Sequence, residues 1–222
     1  MIDVDVCNLA LANLGISQRI SSINPPDQGL PQATTLAAFY AITRDEALRS
    51  APWNFATKAI PLTLISDPTT ITYPGWGYVY QYPNDCLWLG QVMTQWGIRN
   101  SYSWSWTSWS YPNGPTYAST KIPFKVALSA DGSQKVVMCD IPNAYAQYIS
   151  RVTNPDLWTP DFTNHVGWRL AARSGGPLSA NPARVQTAES MSEKSWGEAV
   201  SMSLNEETPD REQDSPSVQC RN

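Results

Sequence analysis

Charge is scarce in this sequence. Asp, Glu, Lys and Arg make up 15% of its 222 residues, against about a quarter in an ordinary soluble domain. Histidine is scarcer still, with His165 alone. Any Ser-His-Asp or Cys-His arrangement would have to be built around that one imidazole. It stands one residue before a face position of a predicted helix and reads as structural or solvent-exposed. The four cysteines, Cys7, Cys86, Cys139 and Cys220, are scattered without a C-x-x-C pair. With one histidine they form no zinc set. Cys7, Cys86 and Cys139 read as small buried hydrophobes in a reducing compartment. No apolar run approaches the ~18 residues of a membrane span, and Asp3 and Asp5 occupy what would be a basic leader region. Synthesis in the cytoplasm, with no membrane anchor, is the expectation.

Other chemistry is missing too. No G-x-G-x-x-G follows a strand and no Walker lysine appears. "SADGSQ" offers a turn and one carboxylate, which is not a calcium loop. Asp67, Asp85, Asp131, Asp140, Asp156 and Asp161 lie in or near loops, where two of them could meet as a glycosidase pair, but no motif singles out which two. We therefore expect no enzyme: no catalytic residue, no cofactor and no metal. The net charge of -4 comes without a basic stripe, so nothing advertises a surface that grips phosphates. The charge is also uneven. Residues 205–222 carry Glu206, Glu207, Asp210, Glu212 and Asp214 against Arg211 and Arg221, and the remainder is close to neutral. A weakly charged surface tolerates burial against neighbours.

What is present divides into three textures. "DVDVCNLALANLG" sets Val4, Cys7, Leu11 and Leu14 on a helical stripe, with Asp3 as N-cap and Gly15 as C-cap. "ISSINPPDQGLP" is a loop. A second helix is predicted from about Gln32 to Arg49, with Leu36, Tyr40, Thr43 and Ala47 on one side and an Asp45–Arg49 pair on its surface; Pro52 ends it. From Ala59 to Ile149 prolines recur between short runs rich in Val, Ile, Thr, Tyr and Trp. "WGYVYQYP" and "CLWLGQVM" read as strands, and "FKVALSADGSQKVVMC" as a hairpin around Asp131-Gly132. Helical texture then returns. Phe162, Val166 and Leu170 mark one helix. Asn181 and Pro182 open the last, whose face is Val185, Ala188, Ser192, Trp196, Ala199 and Leu204. The predicted class is α+β. A bundle of about four helices (1–58 and 146–204) is interrupted by an antiparallel β-rich insertion (59–145), and an acidic extension (205–222) follows.

The insertion contains "YSWSWTSWSY", five rings in ten residues, three of them tryptophan. Tyr102, Trp104 and Trp106 alternate, so in a strand they share a face about 13 Å long. The phase slips at Thr107-Ser108, which sets Trp109 and Tyr111 apart. Exposed together, such rings exceed the apolar patch a monomer usually tolerates. Three readings stay open: core of the β region, contact with another subunit or partner, or a stacking platform for sugars. The last would make the chain a carbohydrate-binding or glycan-degrading component.

A family resemblance adds to this reading. "ALANLG" (10–15), "ISSINPPDQG" (20–29) and "RDEALRSAPWNFATKAIPL" (44–62) resemble the opening of head-to-tail adaptor proteins of short-tailed bacteriophages, the tail tubular protein A group. "YVYQYPNDCLWL" (78–89) and "YISRVTNPDLWTPDFTNHVGWRLAAR" (148–173) are similar to later parts of that family. The similarity covers roughly half the chain, is weak in the Trp-rich middle and stops before the tail. It implies a structural virion protein, not an enzyme: a helical bundle with a β-rich insertion, assembled as a dodecameric ring. Such a ring lies beneath the portal protein and above the tail nozzle protein, and DNA passes through its channel without sequence-specific binding. It also implies that the C-terminal extension reaches the portal. On this reading Trp104, Trp106, Trp109 and Tyr111 are candidates for a subunit or partner interface. Trp53, Phe55 and Phe162 are fold anchors, since Pro52 stops the helix and the rings that follow hold its exit in the core.

Overall fold

A computed structural model describes residues 2–67, 75–94, 122–129, 131–178 and 180–206. The fold is α+β, with four α-helices and short strands among the described residues. The helices are α1 (Asp3–Asn13), α2 (Pro31–Arg49), α3 (Pro160–Gly175) and α4 (Pro182–Asn205). The strands are β1 (Thr57–Pro61), β2 (Leu64–Ser66), β3 (Tyr78–Gln81), β4 (Cys86–Met93), β5 (Phe124–Leu128), β6 (Lys135–Cys139) and β7 (Tyr145–Ser150). No described helix is long and apolar enough to cross a membrane.

Two compact units share the chain. The first comprises residues 1–58, 83–90 and 147–206 and holds all four helices. The second takes its described residues from 59–82 and 91–146. The boundaries fall within β1, β4 and β7, which form one three-stranded sheet in the order β1-β7-β4. Residues 83–90, drawn from inside the 59–145 span, belong with the helices.

In the helical unit, α1 starts one residue earlier than its sequence suggests. Ile2 is the N-cap, and its N–H donates to the Asp5 carboxylate at 2.9 Å. Asp3 instead accepts the Tyr40 hydroxyl of α2 at 2.8 Å, a partner 37 residues away that no local pattern reveals. The chain leaves α1 through Gly15 at φ +74°, a left-handed position suited to glycine. Pro31 opens α2 at its first turn, where a missing N–H costs nothing. Leu36, Tyr40, Thr43 and Ala47 are buried along one side of α2. Its surface pair differs from expectation: Asp45 binds Arg44 and Arg151, not Arg49.

Helix α3 is buried on most of its circumference, by Phe162, His165, Val166, Leu170, Ala171 and Ser174 among others. Thr159 caps it by accepting the Phe162 N–H, and Asn181 caps α4 by accepting the Ala183 N–H. The inward face of α4 is Ala188, Ser195, Ala199 and Ser203, with Val185 and Ser192 half-buried. Trp196 (39% exposed) and Leu204 (56%) point outward instead. Small residues bring this helix close to α3: a Cβ on Gly175 would stand 2.6 Å from Val185 Cγ2. Further along α4, the Trp196 Nε1–H donates to Ser50 Oγ at 3.0 Å, at the end of α2.

The second unit contains the sheet β2-β3-β6-β5. Its pairs are antiparallel, with Tyr80 opposite Val137 and Val137 opposite Val126. One face of the central strands buries Val79, Val136 and Met138, packed with Trp76 and Ala127. On the other side Tyr80 is buried, and its hydroxyl donates to the Ile141 carbonyl at 2.8 Å. The β5–β6 hairpin turns where Asp131-Gly132 predicts. Gly132 has φ +72°, and its N–H donates to the Ser129 carbonyl at 2.8 Å. The Asp131 carboxylate accepts the hydroxyls of Ser129 and Ser133. Those bonds hold its pKa down at about 2.

Candidate functional site

The Trp-rich candidates Trp104, Trp106, Trp109 and Tyr111 lie outside the described residues. The three anchor candidates come together in the helical unit. Trp53 and Phe162 are fully buried, and Phe55 packs against the same core. Phe162 lies at the centre: its ring centroid is 4.9 Å from Trp53, 5.0 Å from Phe55 and 5.2 Å from Trp158. The Trp53 and Trp158 contacts are edge-to-face, the arrangement that ring quadrupoles favour. Both indoles also satisfy a buried carbonyl. Trp53 Nε1 donates to Ala47 O at 2.9 Å, in the last turn of α2, where the Ser50 N–H and hydroxyl donate to the same oxygen. Trp158 Nε1 donates to Val152 O at 3.1 Å. The segment after α2 and the start of α3, about a hundred residues apart in the chain, therefore share one aromatic cluster. Trp158 belongs to it equally and was readable from "NPDLWTPDF", where a tryptophan directly precedes a helix start.

His165 is buried between α3 and α4, 1% exposed. Its Nδ1 faces the Ser192 carbonyl at 3.1 Å and Ser195 Oγ at 3.4 Å, while Nε2 has no partner among the described residues. Burial, then the nearby charge of Arg169, push its pKa down to about 4, against the opposing pull of the Ser192 carbonyl. A histidine held neutral and closed to solvent is a structural element of the α3–α4 seam. Cys7 behaves similarly: burial, with Asp3 nearby, pushes its thiol up to about 12, leaving it an inert hydrophobe. Cys139 is buried as well, whereas Cys86 is only half-buried.

Of the six aspartates considered for glycoside chemistry, Asp85, Asp131 and Asp140 each have partners of their own. Asp85 accepts Lys58 Nζ at 2.7 Å and the Tyr148 hydroxyl at 2.8 Å. Partial burial raises its pKa, but these two partners outweigh that and hold it below the ordinary value. Asp131 is bound within its own turn, and Asp140 accepts the Gly77 N–H at 2.9 Å. A glycosidase acid needs a carboxyl whose pKa is raised; Asp85 and Asp131 are shifted the other way. Among the described residues no group of three or more His, Cys, Asp and Glu could hold a metal.

The most strongly charged feature of the helical unit is the outer face of α2. Asp45 lies between Arg44 at 2.8 Å and Arg151 at 2.8 Å. The next residue, Glu46, lies between Arg173 at 2.8 Å and Arg169 at 3.3 Å. Partial burial would raise the Glu46 carboxyl, yet Arg173 and Arg169 outweigh it and hold its pKa below the ordinary value. The outward side of α4 differs in sign: Glu189, Glu193 and Glu198 are accompanied there by Lys194, itself 3.8 Å from Glu198.

No protein-family model matches the chain, and no curated protein matches it.

Proposed function

We propose that this chain is a structural virion protein, a head-to-tail adaptor of a short-tailed bacteriophage. In this reading twelve copies form a ring connector between the portal protein and the tail nozzle protein. DNA passes through its channel during packaging and ejection without sequence-specific binding. The protein works in the viral tail, at the head-to-tail interface, after synthesis in the host cytoplasm, and performs no catalysis.

The observation that carries the proposal is the aromatic cluster. Two of the stretches that resemble the adaptor family, residues 44–62 and 148–173, are far apart in the chain, yet Trp53, Phe55, Trp158 and Phe162 from those stretches pack on one another. The resemblance therefore follows the core of one unit. Low charge and the acidic outward side of α4 agree with a channel that DNA must traverse without sticking, because phosphates bind where lysine and arginine collect. Trp104, Trp106, Trp109 and Tyr111 are the proposed contact with another subunit or partner. The test is co-sedimentation with the purified portal protein of the same virus. Full-length chain should move with the portal at a fixed stoichiometry, and a well-folded chain that stays entirely at the top of the gradient would count against the adaptor.

A further inference from the structure

The outward side of α2 presents Ile42, Asp45, Glu46 and Arg49, at the three- and four-residue spacings that share a helix face. Ile42 is 54% exposed. Around it four arginines meet two carboxylates, Arg44 and Arg151 on Asp45 and Arg169 and Arg173 on Glu46, with Arg49 one turn further on; Arg44 is buried, so Arg49, Arg151, Arg169 and Arg173 are the ones open to a partner. Arg49 is exposed and makes no ion pair among the described residues. The first unit as a whole is not basic; its other Lys and Arg are Arg19, Lys58, Arg184 and Lys194. Positive charge is thus concentrated on one face, with an uncovered apolar side chain in its midst. The C-terminal segment has the opposite balance, five acids against two arginines within 205–222.

We propose that this α2 face is the docking site for the acidic C-terminal segment, residues 206–214, of a neighbouring copy of the chain. The inference rests on the ring reading. A closed ring needs two different surfaces on each subunit that fit one another, and a basic face and an acidic extension on the same chain are such a pair. The segment is long enough to cover the face. Nine extended residues span at most about 30 Å, while Ile42 to Arg49 covers about 10 Å of helix. Arginine suits the task, because a guanidinium already engaged by one carboxylate keeps N–H donors for another. Asp45 and Glu46 pre-position three of the four accessible side chains, Arg151, Arg169 and Arg173, so little freedom is lost on docking.

The experiment uses full-length protein in sedimentation velocity over a range of concentrations, with two charge-reversed variants. One carries Arg49→Glu and Arg169→Glu, and the other Glu206→Lys, Glu207→Lys and Asp210→Lys. Circular dichroism checks the fold, and Arg49→Glu alone replaces the first variant if Arg169→Glu unfolds it. The wild-type chain should self-associate, about tenfold more weakly when salt rises from 50 to 500 mM. Each variant alone should associate about 100-fold more weakly, because its tail then repels its neighbour's patch. An equimolar mixture of the two should recover to within about threefold of wild type, since each tail then meets an opposite patch on the other variant. A mixture that stays dissociated overturns the proposal, including the case in which a tail folds onto its own subunit. So do variants that associate like wild type, or a wild-type chain that never self-associates. A disc of this protein on the portal under any of those outcomes would leave the adaptor standing without this contact.

Discussion

Acidification should loosen the helical unit through His165 before Glu46 or Asp85 responds. The folded pKa is about 4, against an ordinary 6.5. Through the intervening range the unfolded chain binds a proton that the folded chain refuses. The direction follows: stability is full above pH 6.5, falls as pH drops, and levels off near pH 4. At about 1.36 kcal/mol per pKa unit the whole effect is about 3 kcal/mol, and about 2 kcal/mol of it should be lost between pH 7 and pH 4.8. The physical reason is the orphaned Nε2. A second proton there would be a buried N–H without an acceptor among the described residues, beside Arg169. Glu46 and Asp85 have lowered pKa values, so what they contribute is present above their ordinary 4.5 and 3.8 and is lost only below. The window from pH 7 to 4.8 therefore isolates the histidine. Urea unfolding at several pH values in that window should show the loss in wild type and its near absence in His165→Gln. A flat wild-type profile, or the same slope in the variant, would refute the argument.

Three further outcomes are expected. Trp53→Ala removes the largest fully buried side chain and its hydrogen bond to the Ala47 carbonyl, which Ser50 still satisfies; chemical denaturation should show a loss of about 3–5 kcal/mol, whereas Trp196→Ala, at an exposed indole bonded to Ser50, should cost under about 1 kcal/mol. Gly175→Ala forces a Cβ to 2.6 Å from Val185 Cγ2 and should destabilise by about 1–3 kcal/mol, with part of the loss recovered when Val185→Ala is added. The double variant Trp104→Ser/Trp106→Ser should keep its thermal unfolding profile and lose co-sedimentation with the portal; loss of folding instead would place these rings in the core.

The local signals in the chain were readable where the partner of each residue is also local. Pro52, Asn181 and Asp131-Gly132 act on their immediate neighbours, so they mark helix ends and a hairpin without knowledge of the fold. Misreadings arise where the partner is distant. Asp3 looks like an N-cap until Tyr40 takes its carboxylate. Asp45 looks like half of an i,i+4 pair until Arg151 arrives from beyond β7. On α4 the periodicity admits Trp196 and Leu204 to the inward stripe. Ser195, beside His165 of α3, and Ser203, bonded to Asn54 after α2, face inward instead. His165 shows the same limit: one helix face is apolar in sequence, but α3 is covered from several sides, so its flank is buried too. Charge complementarity between the α2 face and the C-terminal segment was half visible. The acidic run is contiguous, while its basic counterpart is assembled from 44–49, 151 and 169–173.

The adaptor reading is tested most directly by electron imaging of the full-length chain mixed with purified portal of the same virus. The account predicts an added disc on one face of the portal, twelvefold and open along its axis. A portal that remains bare in the presence of a well-folded excess of the chain would contradict it.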